Sequence, residues 1–171
     1  MRHGIVLAVA AGLFTLLALG VGIASTVEAP EINQRTRCPV CGMFVAKYPA
    51  WITHIRYQNG EVHSFDGVKD MMAYYFDPQS FGNSVEGQII SILVKDYYRQ
   101  EWIDGKKAFF VRGSDVYGPM GHELIPFDSK DAAESFMKDH KGEELLLFSE
   151  ITHELIDSMR HGHQMKGNKK K

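Results

Sequence analysis

Trp51-Ile52-Thr53-His54-Ile55-Arg56-Tyr57 is followed by Gln58-Asn59-Gly60, then Glu61-Val62-His63-Ser64-Phe65, then Asp66-Gly67-Val68-Lys69-Asp70-Met71-Met72-Ala73-Tyr74-Tyr75-Phe76. The first and third segments alternate, the period of a half-buried strand. The Asn-Gly pair between them is a strong hairpin signal. In the last segment Val68, Met71, Met72, Tyr75 and Phe76 recur at helical spacing and predict an amphipathic helix. Asp66 reads as its N-cap, and Pro78 stops it. The stretch therefore reads as β-hairpin then helix.

Upstream stands Cys38-Pro39-Val40-Cys41-Gly42-Met43, a turn-like knuckle, preceded by a polar tether at 30–37. Downstream, 78–88 is a loop, and strands are predicted at 89–94 and, after the Asp104-Gly105 turn, at 108–111. Gly118-Pro119-Met120-Gly121 is a second tight knuckle, and a short strand at 123–127 follows. Asp128 reads as another N-cap, for a helix carrying Ala133, Phe136, Met137 and His140, with Gly142 as its C-cap. A buried strand at 145–148 and a last helix at 151–159 complete the pattern. Phe65-Asp66-Gly67-Val68-Lys69-Asp70 is echoed by Phe127-Asp128-Ser129-Lys130-Asp131, each closing a strand and opening a helix after a Gly-Met knuckle. The expected fold is α+β: two small ββα-type units packed together, at about 38–88 and 89–150, with a C-terminal helix and His/Lys-rich tail at 151–171.

At 171 residues the chain has room for one domain or two very small ones. Its hydrophobic content of 44% and charged content of 23% describe a globular chain, not a disordered one. A net charge of −2 gives no basic excess for nucleic acid, and only Lys169-Lys170-Lys171 is locally basic. Two cysteines exclude a disulfide-dense scaffold and a four-cysteine zinc site.

Residues 5–24 carry no charge and follow Met1-Arg2-His3, a short positive segment. Twenty residues of helix span about 30 Å, the thickness of a hydrocarbon core. The segment at 1–29 reads as an uncleaved signal anchor ahead of a cleaved signal peptide. Both readings export everything after Pro30. The rest of the chain is therefore expected outside the cytoplasm.

Cys38-x-x-Cys41 is the strongest chemical signal. Met43, two residues after Cys41, adds a thioether to the thiolates, and soft ligands of this kind select Cu(I). Met120, displayed on the second knuckle, and His122 are candidates for a third ligand. His54 and His63 alternate with apolar residues, so they are expected to face solvent or to be satisfied by hydrogen bonds. Met71 and Met72 are expected in the core. Asp66, Asp70, Asp128 and Asp131 read as caps and helix-start charges. His153, His161, His163 and Met165 form at most an accessory metal-collecting run. No Ser/His/Asp arrangement, phosphate loop or dinucleotide fingerprint is present, so no enzymatic role is expected. Three readings compete: a Cu(I) metallochaperone, a thiol–disulfide oxidoreductase using Cys38 and Cys41, and a structural zinc module for docking.

Cys41-Gly42-Met43, Tyr48-Pro49-Ala50-Trp51, Phe65-Asp66 with Lys69-Asp70-Met71, Asp96-Tyr97, Trp102-Ile103-Asp104, Ala108-Phe109-Phe110-Val111 with Gly113-Ser114-Asp115-Val116, and Gly118-Pro119-Met120-Gly121 together resemble the NosL family, accessory proteins of nitrous oxide reductase. The matching stretches run in family order over about residues 38–150. The resemblance implies two ββα units and an exported, membrane-attached Cu(I)-binding chaperone, on the periplasmic side of the bacterial inner membrane, that delivers copper for assembly of the reductase. It implies Cys41 and Met43 as ligands and favours Met120 as the distal one. Many members carry an acylated cysteine after the leader; this chain has none there, so attachment would rest on the N-terminal helix. Cys38 and the His-rich tail are not required by the family pattern. Cys38 would either replace a ligand or form a disulfide with Cys41.

Overall fold

The structure, a computed structural model, describes residues 29–82 and 87–167. Strands β1 (Thr53–Tyr57) and β2 (Val62–Phe65) form the hairpin, in register from Thr53↔Phe65 to Arg56↔Val62. The turn closes with the Gly60 N–H donating to the Tyr57 carbonyl at 3.0 Å. Helix α1 (Val68–Phe76) follows. Strand β3 (Ile89–Lys95) then returns to the other side of β1, and β4 (Trp102–Asp104) adds to β3, giving an antiparallel sheet of order β2-β1-β3-β4. The strand at the proposed start of a second unit thus belongs to the first sheet, which runs on through Asp104. β4 spans three residues, too short to show a period in the sequence.

Strand β5 (Phe109–Arg112) starts the second sheet, and the small hairpin β6 (Tyr117–Gly118) and β7 (Gly121–His122) intervenes before β8 (Ile125–Phe127). Helix α2 (Lys130–Asp139) and strand β9 (Glu144–Leu147) complete it, with order β8-β5-β9. The path β1-β2-α1-β3 and the path β5-β8-α2-β9 therefore share one topology. In each, the first strand is central and the strand after the helix returns to its free side. The echo between residues 65–70 and 127–131 sits at the same strand-to-helix junction of both paths. Helix α3 (His153–Gly167) packs on α1.

β5 joins the two halves through its alternation. Ala108, just before the strand, and Phe110 enter the large core with Ile55, Phe65, Met71, Met72 and Tyr74. Val111 points the other way, to a second cluster with Ile125, Phe127 and Phe136 under α2. The second sheet is a middle layer, apolar on both faces. α1 is buried beyond the apolar stripe read from its sequence: Lys69 and Asp70 are also buried. The cause is the company it keeps, namely the first sheet, α3, the cysteine knuckle and the β6–β7 hairpin. Among the described residues no helix is long and apolar enough to cross a membrane, and residues 1–28 of the segment read as a signal anchor or signal peptide (1–29) lie outside them.

Candidate metal centre

The cysteine knuckle is a closed backbone loop. The Cys38 N–H donates to the Met43 carbonyl at 2.9 Å, and the Gly42 N–H donates to the Cys38 carbonyl at 2.9 Å. Gly42 adopts φ +76°, a left-handed conformation that glycine tolerates without a Cβ clash. Arg37 pairs with Phe44, its guanidinium donates to the Gly42 carbonyl at 2.8 Å, and it lies over the Phe44 ring. The end of the segment read as a tether is thus tied to the far side of the knuckle. The Val45 N–H also donates to the Thr36 carbonyl at 3.0 Å.

The knuckle packs both sulfurs against the start of α1. The Cys41 thiol donates to both Asp66 carboxylate oxygens, at 3.2 and 3.4 Å, and the Cys38 thiol donates to Asp70 Oδ2 at 3.6 Å. The four side chains place one ligand atom each within 4.8 Å of one another. Cys38, Asp66 and Asp70 are buried, whereas Cys41 is partly exposed, so the cluster opens to solvent at Cys41. Both cysteines are free thiols. The neighbouring Cys41 thiol, burial and the Asp70 charge push the Cys38 thiol well above its ordinary pKa. Burial raises the Asp70 carboxyl, with the Asp66 charge adding to it. As a thiol, Cys38 is therefore a protonated donor, and a metal binding there would displace the proton.

Asp66 is not the N-cap. The helix starts at Val68 with Gly67 as cap residue and no side-chain cap bond, which leaves the Asp66 carboxylate to the thiol. Asp128 is displaced likewise, because the Ser129 hydroxyl caps α2 by accepting from the Ala132 N–H at 3.3 Å. Asp66 and Asp70 are the site residues that the sequence reading missed. Their i, i+4 spacing at the start of a helix was the available signal.

The second knuckle is anchored to the same helix turn. The Lys69 ammonium donates to the Met120 and His122 carbonyls, at 2.8 and 2.7 Å. Glu123 Oε1 accepts from the Lys69 and Leu124 N–H groups, at 2.6 and 2.9 Å. Glu123 is buried, and burial pushes its carboxyl up to about 8. A Cβ on Gly67 would overlap Glu123 Oε2, so only glycine admits this approach. The Met120 side chain is 46% exposed, and exposed His122 packs its ring against Tyr117 at 4.8 Å. His122 stands outside the four-residue cluster. Met43 is partly buried, and its carbonyl closes the first knuckle.

The two strand histidines differ from each other. His54 is fully buried, with Nδ1 2.9 Å from Ser64 Oγ and its ring 4.8 Å from Trp102. Burial brings its pKa down to about 4. His63 bonds Glu61 at 3.0 Å and stacks on Tyr74. Neither belongs to the cluster.

Comparison with known proteins came down on one family. The model described as NosL matches residues 29–156. The copper-binding lipoprotein NosL of Stutzerimonas stutzeri is 26% identical over 176 residues, covering 90% of this chain and 88% of that protein. Its counterpart from Achromobacter cycloclastes is 28% identical over 160 residues, covering 86% and 80%. Among solved structures, the copper chaperone NosL from Shewanella denitrificans superposes with a TM-score of 0.63 at 26% identity, covering 74% of this chain and 97% of that one.

Proposed function

This chain belongs to the NosL family, and on that premise we propose that it is an exported, membrane-attached Cu(I) metallochaperone, not an enzyme. Its client is an exported copper enzyme, nitrous oxide reductase first. The observation that carries the reading is the pair of sulfurs at one mouth: Cys38 buried, Cys41 reaching solvent. Cys41 and Met43 bind the ion at the opening, Cys38 supports it from behind, and Met120 or His122 completes the set from the hairpin. A soft, low-coordinate ion at an open mouth can be attacked by an incoming ligand before an old one leaves, which is what transfer requires. Asp66 and Asp70 accept the thiol hydrogens and keep the sulfurs aimed at one point. The names of the relatives, copper-binding lipoprotein and copper chaperone, support both the metal and the export.

The oxidoreductase reading loses ground on the same geometry. It needs a thiolate of low pKa, and the Cys38 thiol is raised. The zinc-module reading gains an observation, because two carboxylates join the two thiols in a four-donor set. Anaerobic titration of the full chain against a chromophoric Cu(I) chelator separates the readings. One Cu(I) should bind with sulfur scatterers in X-ray absorption, and Cys41→Ala/Met43→Ala should weaken binding by about a hundredfold or more. A double variant with full affinity would end the proposal. Zinc co-purifying in place of copper, with unfolding on chelation, would favour the docking module.

A further inference from the structure

We propose that Lys69 is a positioning residue of the copper site: it fixes the Met120-Gly121-His122 turn to the helix turn that holds the cysteine thiols, and so presents the Met120 thioether to the ion. The inference rests on the reading of Met120 as the third ligand. Strands β6 and β7 have two residues each and form a sheet of their own. A two-stranded hairpin of that size has little stability by itself, so its place on the molecule must come from other contacts. Lys69 makes two of them. Its ammonium donates to the Met120 carbonyl at 2.8 Å and to the His122 carbonyl at 2.7 Å, on either side of Gly121. Gly121 adopts φ +85°, so the chain reverses between the two bonds.

The lysine is 3% exposed, and a buried ammonium is costly unless its hydrogens are accepted. Here two of the acceptors are backbone carbonyls of one surface turn, which ties that turn to the interior. Glu123 holds the chain just beyond it, because its carboxylate accepts from the Lys69 and Leu124 N–H groups.

The same helix turn aims the thiols. Asp66 and Asp70 stand on either side of Lys69 in the sequence and accept from Cys41 and Cys38. One turn thus sets the position of both knuckles. The backbone of the second is fixed while the Met120 side chain stays 46% exposed. Recruiting its sulfur then orders a side chain and not a hairpin, which lowers the entropy lost on binding. A purely electrostatic role has the opposite sign, since a positive charge near a cation site opposes binding. Loss of the charge alone would tighten Cu(I), whereas loss of positioning weakens it.

The experiment combines ¹³C-methyl methionine NMR with an anaerobic Cu(I) titration against a chromophoric chelator, on the reduced full chain. In the parent, one equivalent of Cu(I) should shift the Met43 and Met120 methyls. Lys69→Leu should weaken Cu(I) binding about tenfold and abolish the Met120 shift while Met43 still moves. The core methyls of Met71 and Met72 report that the fold is kept. Should Lys69→Leu unfold, Lys69→Leu/Glu123→Gln removes the partner charge as well and gives the same readout. Added to Met120→Ala, Lys69→Leu should cause no further loss of affinity. Lys69→Leu binding as tightly as the parent or more tightly, a Met120 shift that survives the substitution, or losses that add would each overturn the proposal. A Met120 methyl that stays still in the parent would overturn it too and leave the Cys41 and Met43 reading standing, which only full affinity in Cys41→Ala/Met43→Ala would end.

Discussion

His54 sits in the central strand β1 with no solvent contact, and the fold controls its ionisation. Its pKa is lowered to about 4 by burial, with the charges of Arg56 and Lys95 adding, against 6.5 for a free side chain. Between those values the unfolded chain takes up a proton and the folded chain does not. The stability tied to His54 is therefore full above pH 6.5 and is lost as pH falls toward 4. The shift corresponds to about 3 kcal/mol. Urea midpoints measured at pH 7 and pH 4.5 should fall more steeply for the parent chain than for His54→Leu. Alternation alone allowed His54 a solvent-facing position. It could not show that Trp102, from a strand too short to be predicted, lies across the ring.

The first turn of α1 is the element on which both knuckles converge. Asp66 and Asp70 meet the thiols there, Lys69 holds the carbonyls of the second knuckle, and Gly67 makes room for Glu123. Gly67→Ala should cost about 2 kcal/mol, because its methyl meets a buried carboxylate. Urea denaturation of Gly67→Ala, Glu123→Ala and the double variant forms a cycle, and the two losses should be clearly less than additive. Legibility was poorest at this element. Acidic residues at a helix start are already explained by capping and the helix dipole, so nothing in the sequence asked for a second role. The hydrophobic stripe of α1 was legible, but the burial of Lys69 and Asp70 on its other side depends on segments about fifty residues later in the chain for Lys69 and about thirty residues earlier for Asp70.

Across the molecule, the middle layer predicts cooperativity. Phe110 extends from the second sheet into the core of the first, and Val111 faces α2. Phe110→Ala should remove about 3–5 kcal/mol and lower stability in both halves together. The two tryptophans can report this: Trp102 packs on the large core and Trp51 on the second cluster. In single-tryptophan variants the two urea transitions should coincide, before and after the substitution. Separate midpoints would show two independent units. The shared topology of the two strand–helix paths gives each a layer, yet neither buries its apolar faces without the other.

Local chemistry determined much of this protein by itself: the hairpin around Asn59-Gly60, α1 and α2, the tight cysteine knuckle and the family. Each rests on residues near in sequence, whose spacing, turn preference and side-chain chemistry act within a few positions. Only the tertiary structure decided that two carboxylates face the thiols, that β3 closes the first sheet and that Glu123 reaches the start of α1. These features join segments separated by tens of residues. Their partners are selected by packing and by the need to pair buried polar groups, which no local period records.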